Sequence, residues 1–213
     1  MIPPAGGKPP PKSRGDPRLR PSLIAGRTDF TYYPATQIPE PSAVNTKNTS
    51  HTITATIEVP QGGADGVLVA DGGAAGGYTL YINDRKPVYE YNYMAHVRYK
   101  VTSSETLSAG SANVRVEFTY EGGIGNGGTA TLFINDKKVG EGRIDKTCPS
   151  RFGPETFDVG RDNGSPVSEE YQPPFAYAGD IKKVEIHIAP SNLNATDQGK
   201  VRGAERNAAL GIE

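Results

Sequence analysis

Residues Gly72–Tyr93 read GGAAGGYTLYINDRKPVYEYNY, a glycine-rich approach followed by two strand-like runs with a turn between them. From Gly127 the pattern returns in shorter form as GGTATLFINDKKVGEGRID. Leu80, Ile82, Asn83, Asp84 and Val88 are matched there by Leu132, Ile134, Asn135, Asp136 and Val139 after one deletion. In both copies a run rich in β-branched and aromatic residues meets an Asn-Asp-basic-Lys turn, and a second strand follows. Asn and Asp suit such turns because their side chains bond their own backbone. Two hairpins of one kind are predicted, and with them an antiparallel sheet.

Outward from this pair the same grammar continues. In His51–Val59, Ile53, Ala55, Ile57 and Val59 alternate with Thr52, Thr54, Thr56 and Glu58, the period of two that a half-buried strand requires. Asn113–Tyr120 sets Val114, Val116, Phe118 and Tyr120 against Arg115, Glu117 and Thr119. Asp180–Ile188 sets Val184, Ile186 and Ile188 against Lys183, Glu185 and His187. Shorter runs stand at Asp29–Tyr33, Val67–Ala70, His96–Ser103 and Thr156–Val159. About nine short strands separated by Gly, Pro and Asn turns, with no helix between them, predict an all-β antiparallel two-sheet sandwich closed as a jelly roll.

The 213 residues suffice for one well-buried domain. Residues 1–27 carry seven of the prolines and six basic residues against Asp16 alone, so a disordered, basic, proline-rich arm is expected. The sandwich is assigned to residues 28–190. A polar tail occupies 191–213, where Lys200–Leu210 forms at most a weak helix interrupted by Gly203. A net charge of −1 and a pI near 6.3 give no single-sign field for nucleic acid or an anionic membrane. No apolar run approaches a membrane span and the start lacks a secretory signal, so the default location is cytoplasmic. The single cysteine, Cys148, precludes an internal disulfide and fits a reducing compartment.

The hairpins, together with VRVEFTYEGG, FDVGRDNGSPVSEEY and GDIKKVEIHI, resemble the C-terminal domain of large microbial arylsulfatases, collinearly from about Gly26 to Ala189. The resemblance implies a concanavalin-like jelly roll that follows a catalytic sulfatase domain. That family matures a cysteine within Cys-x-Pro-x-Arg, whereas here the order is Cys148-Pro149-Ser150-Arg151, so the formylglycine motif is absent and no catalytic residue is assigned. The expectation is a non-catalytic accessory domain, a structural or substrate-positioning partner of a sulfatase catalytic domain or chain. The alternative is a free-standing, lectin-like glycan-binding module.

Two constellations are candidates for ligand chemistry. Tyr89, Tyr91 and Tyr93 share one face of a strand and form either a sugar-stacking platform or packing between sheets. Packing is favoured because the opposite face, Val88, Glu90 and Asn92, carries the charge and so reads as solvent-facing. Asp158, Asp162, Asn163 and Glu169 cluster in a glycine-turn segment and offer the oxygens of a calcium site, though not in the EF-hand spacing; a turn with solvated charge is the simpler account. The three histidines have no metal-ligand spacing. Neither Glu117 nor Glu185 has a carboxylate two residues away, as a hydrolase strand would require.

Overall fold

A computed structural model describes residue 24 and residues 26–210, with the backbone alone for residue 36 and residues 205–210. Most of the proline-rich arm, residues 1–23, lies outside the described residues. The described residues form twelve strands: β1 (Asp29–Tyr32), β2 (Ala35–Pro39), β3 (His51–Val59), β4 (Gly66–Gly73), β5 (Gly76–Asn83), β6 (Lys86–Tyr93), β7 (Val97–Thr102), β8 (Gly110–Tyr120), β9 (Asn126–Ile134), β10 (Lys137–Lys146), β11 (Thr156–Val159) and β12 (Asp180–Ile188). They form two six-stranded sheets, ordered β1-β12-β3-β8-β9-β10 and β2-β11-β4-β5-β6-β7. Neighbouring strands in both sheets pair antiparallel, so the chain is the all-β, jelly-roll-like sandwich that its periodicity predicts.

The two related hairpins fall in different sheets, β5–β6 in the second and β9–β10 in the first. Their turns are offset by one residue. Asp84 and Arg85 take the left-handed positions in one, Asn135 and Asp136 in the other. Asn83 therefore ends a strand and pairs with Lys86, while its counterpart Asn135 opens the turn. β2 lies where the prolines predict only an extended connection. It is an edge strand pairing with β11 alone, the position where a sheet tolerates proline.

The core lies between the sheets. From the first come Ile53, Ile57, Val114, Val116, Phe118, Leu132, Val184 and Ile186; from the second, Leu68, Tyr78, Leu80, Ile82, Tyr89, Tyr91 and Phe157. At roughly 1.5–3 kcal/mol for each large apolar side chain fully removed from water, this layer dominates the stability of the fold.

One expectation is corrected. Val88, Glu90 and Asn92 are buried, although their face reads as solvent-exposed in sequence. Residues 161–176 cross the outer face of the second sheet as a strap. They enclose a second cluster of Val67, Ala70, Tyr81, Val88, Val167 and Tyr171, with Phe175 packed against it. The second sheet is thus covered on both faces, and β4 is buried along its whole length. Beyond the sandwich, helix α1 (Ala195–Leu210) starts earlier than the expected Lys200. Asn194 explains this, since its Oδ1 accepts the Asp197 N–H at 2.9 Å as an N-cap. Among the described residues no helix is long and apolar enough to cross a membrane.

Candidate functional site

The strap is irregular in backbone but closely tied. Its Asp162 N–H donates to Pro174 O (2.9 Å), while the Val67 N–H of β4 donates to Phe175 O (2.8 Å). Within it, the Asp162 carboxylate accepts the Val167 N–H (3.1 Å) and the Tyr171 hydroxyl. Tyr171 stacks on Phe175 and meets Tyr81 edge-on. Burial pushes the Asp162 carboxyl up to about 6, partly offset by the Tyr171 and Val167 hydrogen bonds.

Under the strap, Ser168 Oγ donates to Glu90 Oε2 at 2.7 Å, and the Tyr81 hydroxyl lies 3.2 Å from both Glu90 Oε2 and Glu170 Oε2. The phenol has one proton and two carboxyl neighbours, so the arrangement is satisfied when one carboxyl keeps its own proton. Burial raises Glu90, whereas the hydrogen bond from Lys100 lowers Glu170. Of the two, Glu90 is the one whose burial favours the neutral form. A raised and a lowered carboxyl side by side is the pattern of acid–base hydrolysis. Here, however, Glu90 is 3% exposed beneath the strap, out of reach of a substrate. The pair anchors the strap, assisted by Arg98, whose Nη1 lies 2.7 Å from Glu169.

The proposed calcium ligands are not gathered into one shell. Asp158 accepts from the Gln37 N–H, the Thr156 hydroxyl (3.0 Å) and the Asn163 amide (3.2 Å). Asp162 binds Tyr171 and Val167, and Glu169 lies out on Arg98. Apart from Asp162 Oδ1, which is buried with no hydrogen-bond partner among the described residues, these are acceptors facing donors, whereas calcium requires six to eight oxygens converging with no N–H between them. The residues present do not fit the ion, and among the described residues no group of three or more His, Cys, Asp or Glu side chains is placed to hold a metal. The tyrosine row fares similarly as a platform. Tyr89 and Tyr91 are packed in the core, with the Tyr91 hydroxyl accepting the Cys148 N–H at 2.8 Å, and only Tyr93 is half-buried at the row's end. The favoured reading, packing between sheets, describes Tyr89 and Tyr91. Cys148 is itself buried and burial raises its thiol, so it is an unreactive packing residue.

The open concavity lies where the strap begins and ends. Gly160 and Arg161 leave β11, Ala176 and Tyr177 return towards β12, and with Pro34 and Ala35 of the β2 approach they frame a cleft of about 400 Å³ at the seam between the sheets. Gly160 forms its floor at φ +90°. A Cβ there would stand 3.6 Å from Ile181 Cδ1 and 3.9 Å from Pro34 Cβ, filling the gap between the walls. Tyr177 is clamped on both sides by glycines. A Cβ on Gly66 would collide with the Tyr177 backbone, and one on Gly179 would fall 2.7 Å from Tyr177 Cε1. Tyr177 is 8% exposed, and its hydroxyl is buried without a hydrogen-bond partner among the described residues. Burial and the Asp65 charge push that phenol up to about 12.

Arg161 stands in the sequence beside the proposed calcium ligands without drawing notice as a site residue, and Gly160 and Tyr177 carry no motif at all. What unites them is the path of the strap, which no local pattern encodes.

No family model matches the chain, and no curated protein matches it. Among solved structures, the CBM40 domain of the Ruminococcus gnavus IT-sialidase bound to α2,3 sialyllactose aligns at a TM-score of 0.52. The identity is 13%, over 81% of this chain and 97% of that one. A second structure of the same domain aligns at the same TM-score and identity, over 98% of its length. The likeness establishes the fold. Sheep galectin-11 aligns at a TM-score of 0.42 with 11% identity, over 73% of this chain and 98% of its own, too loosely to carry an argument.

Proposed function

We propose that the chain is a non-catalytic glycan-binding module whose site is the seam cleft. The observation that carries this reading is the cleft's make-up. It is an open concavity of about 400 Å³ whose exposed lining is mostly polar, including Arg161 and Asp180, with smaller apolar surface from Pro34, Val159, Ile181 and Tyr177. A sugar presents a polar rim around an apolar ring face, and a lining with both kinds of surface suits it. The fold likeness adds support, since a sandwich of this architecture carries α2,3 sialyllactose in the Ruminococcus gnavus domain. A glycan array tests the reading. The wild-type chain is expected to bind a subset of glycans, and Ala35→Trp, which plugs the cleft from a half-buried wall position, is expected to lose that binding with its melting temperature intact. Binding that survives the plug would move the site elsewhere.

A second, finer reading is that such a module serves beside a sulfatase catalytic domain. It is supported by the collinear sequence resemblance from Gly26 to Ala189 alone. Native co-purification decides it: a stoichiometric sulfatase chain is the expected companion, and recovery of a lone monomer sinks it.

A further inference from the structure

We propose that the seam cleft takes an anionic saccharide, a sugar bearing a carboxylate or a sulfate, and that Arg161 reads its charge; this rests on the glycan-binding reading of the same cleft. Arg161 is exposed on the wall of the cleft and, among the described residues, has no hydrogen-bond, ion-pair or ring partner. The sandwich treats its other arginines differently. Arg98 is held by Glu169, Arg115 by Glu117 and the Phe133 ring, Arg143 by Glu121, and Arg85 by the Leu107 carbonyl. Among the described residues Arg161 thus brings an uncommitted guanidinium to this cleft, as Arg202 does to a groove against α1.

The rest of the lining makes the charge usable. The one acidic side chain of the cleft, Asp180, is already paired with Lys182, so it leaves the guanidinium unneutralised. The planar fork of arginine matches the two oxygens of a carboxylate or sulfate, and charge-assisted pairs of this kind are roughly twice as strong as neutral hydrogen bonds. A bare oxyanion would leave most of the 400 Å³ unfilled, including the strip that Gly160 keeps open between Ile181 and Pro34. The volume, and the apolar surface that Pro34, Val159 and Ile181 add to a mostly polar lining, suit a sugar ring attached to the charge.

The test is an array of matched trios, each core glycan presented neutral, sialylated and sulfated, with lactose among the cores, read with the wild type and with Arg161→Gln. Arg161 is exposed, so the variant is expected to keep the wild-type melting temperature. The wild type is expected to favour charged forms over their neutral cores by about tenfold, a preference that weakens with salt. Arg161→Gln is expected to level the trio. The sialylated and sulfated arms separate a carboxylate from a sulfate as the source of the charge. Equal binding of neutral and charged forms by the wild type, or a preference that persists in Arg161→Gln, overturns this inference and leaves the glycan-binding reading standing. Binding to no form of any core overturns both.

Discussion

Asp71 is the least comfortable side chain in the molecule. It sits on β4 opposite Tyr78, fully buried, with neither carboxyl oxygen hydrogen-bonded among the described residues. Burial pushes its pKa from 3.8 up to about 7, against a weaker pull from Lys47. The native state therefore holds a proton that the unfolded state releases near pH 4. Stability from this group is intact below that pH, is lost as pH rises towards 7, and stays lost above it, a cost of roughly 4 kcal/mol at the upper end. Buried His51 works in the opposite direction. Burial lowers it to about 4, so acidification below its ordinary range destabilises the fold. A direct comparison isolates Asp71: the melting temperature of Asp71→Asn should match the wild type near pH 4 and exceed it increasingly up to pH 8. A gap that does not vary with pH would refute the assignment. Gly66 provides a steric test at the same scale. It sits at φ +128° with the Tyr177 backbone where a Cβ would go, so Gly66→Ala should lose about 3 kcal/mol in denaturant unfolding. An alanine variant as stable as the wild type would mean that Tyr177 does not press against β4.

At the scale of elements, the strap decides what the second sheet can do. Tyr171, 5% exposed, contacts Tyr81, Phe175 and Asp162, so Tyr171→Ala should cost about 3 kcal/mol. It should also speed hydrogen exchange in β5 and β6 beneath the strap; unchanged protection there would show that the strap does not cover them. Because the strap's carboxylates are met by N–H, O–H and guanidinium donors, calcium and chelator should both leave the melting temperature unchanged. A calcium-dependent rise would contradict that account. The strands themselves were legible. β3, β8 and β12 alternate so regularly that each inner face could be assigned from sequence. The strap was not, because a period of two says which residues share a face and nothing about what lies over it. Glu90 looks solvated in sequence, and its burial depends on residues some seventy positions later, Ser168 among them. The candidate site was hidden for the same reason, since Arg161 and Tyr177 are sixteen residues apart and meet only where the strap closes.

At the scale of the whole molecule, two sheets packed face to face leave concavities at the seam and the ends rather than inside. The second hairpin does not repeat the first within one sheet; it supplies the corresponding pair to the opposite sheet, and the core lies between. Another groove, of about 500 Å³, lies towards the opposite end of β12 against α1. Location is therefore a sharper test than binding alone. The measurement to make is a backbone amide NMR titration with the strongest glycan from the array. Shifts concentrated at residues 159–161 and 176–181 are predicted, with the α1 groove and the β6–β7 turn (residues 94–96) unmoved. Shifts confined to either of those regions, or none at a saturating sugar concentration, would contradict the seam cleft as the binding site.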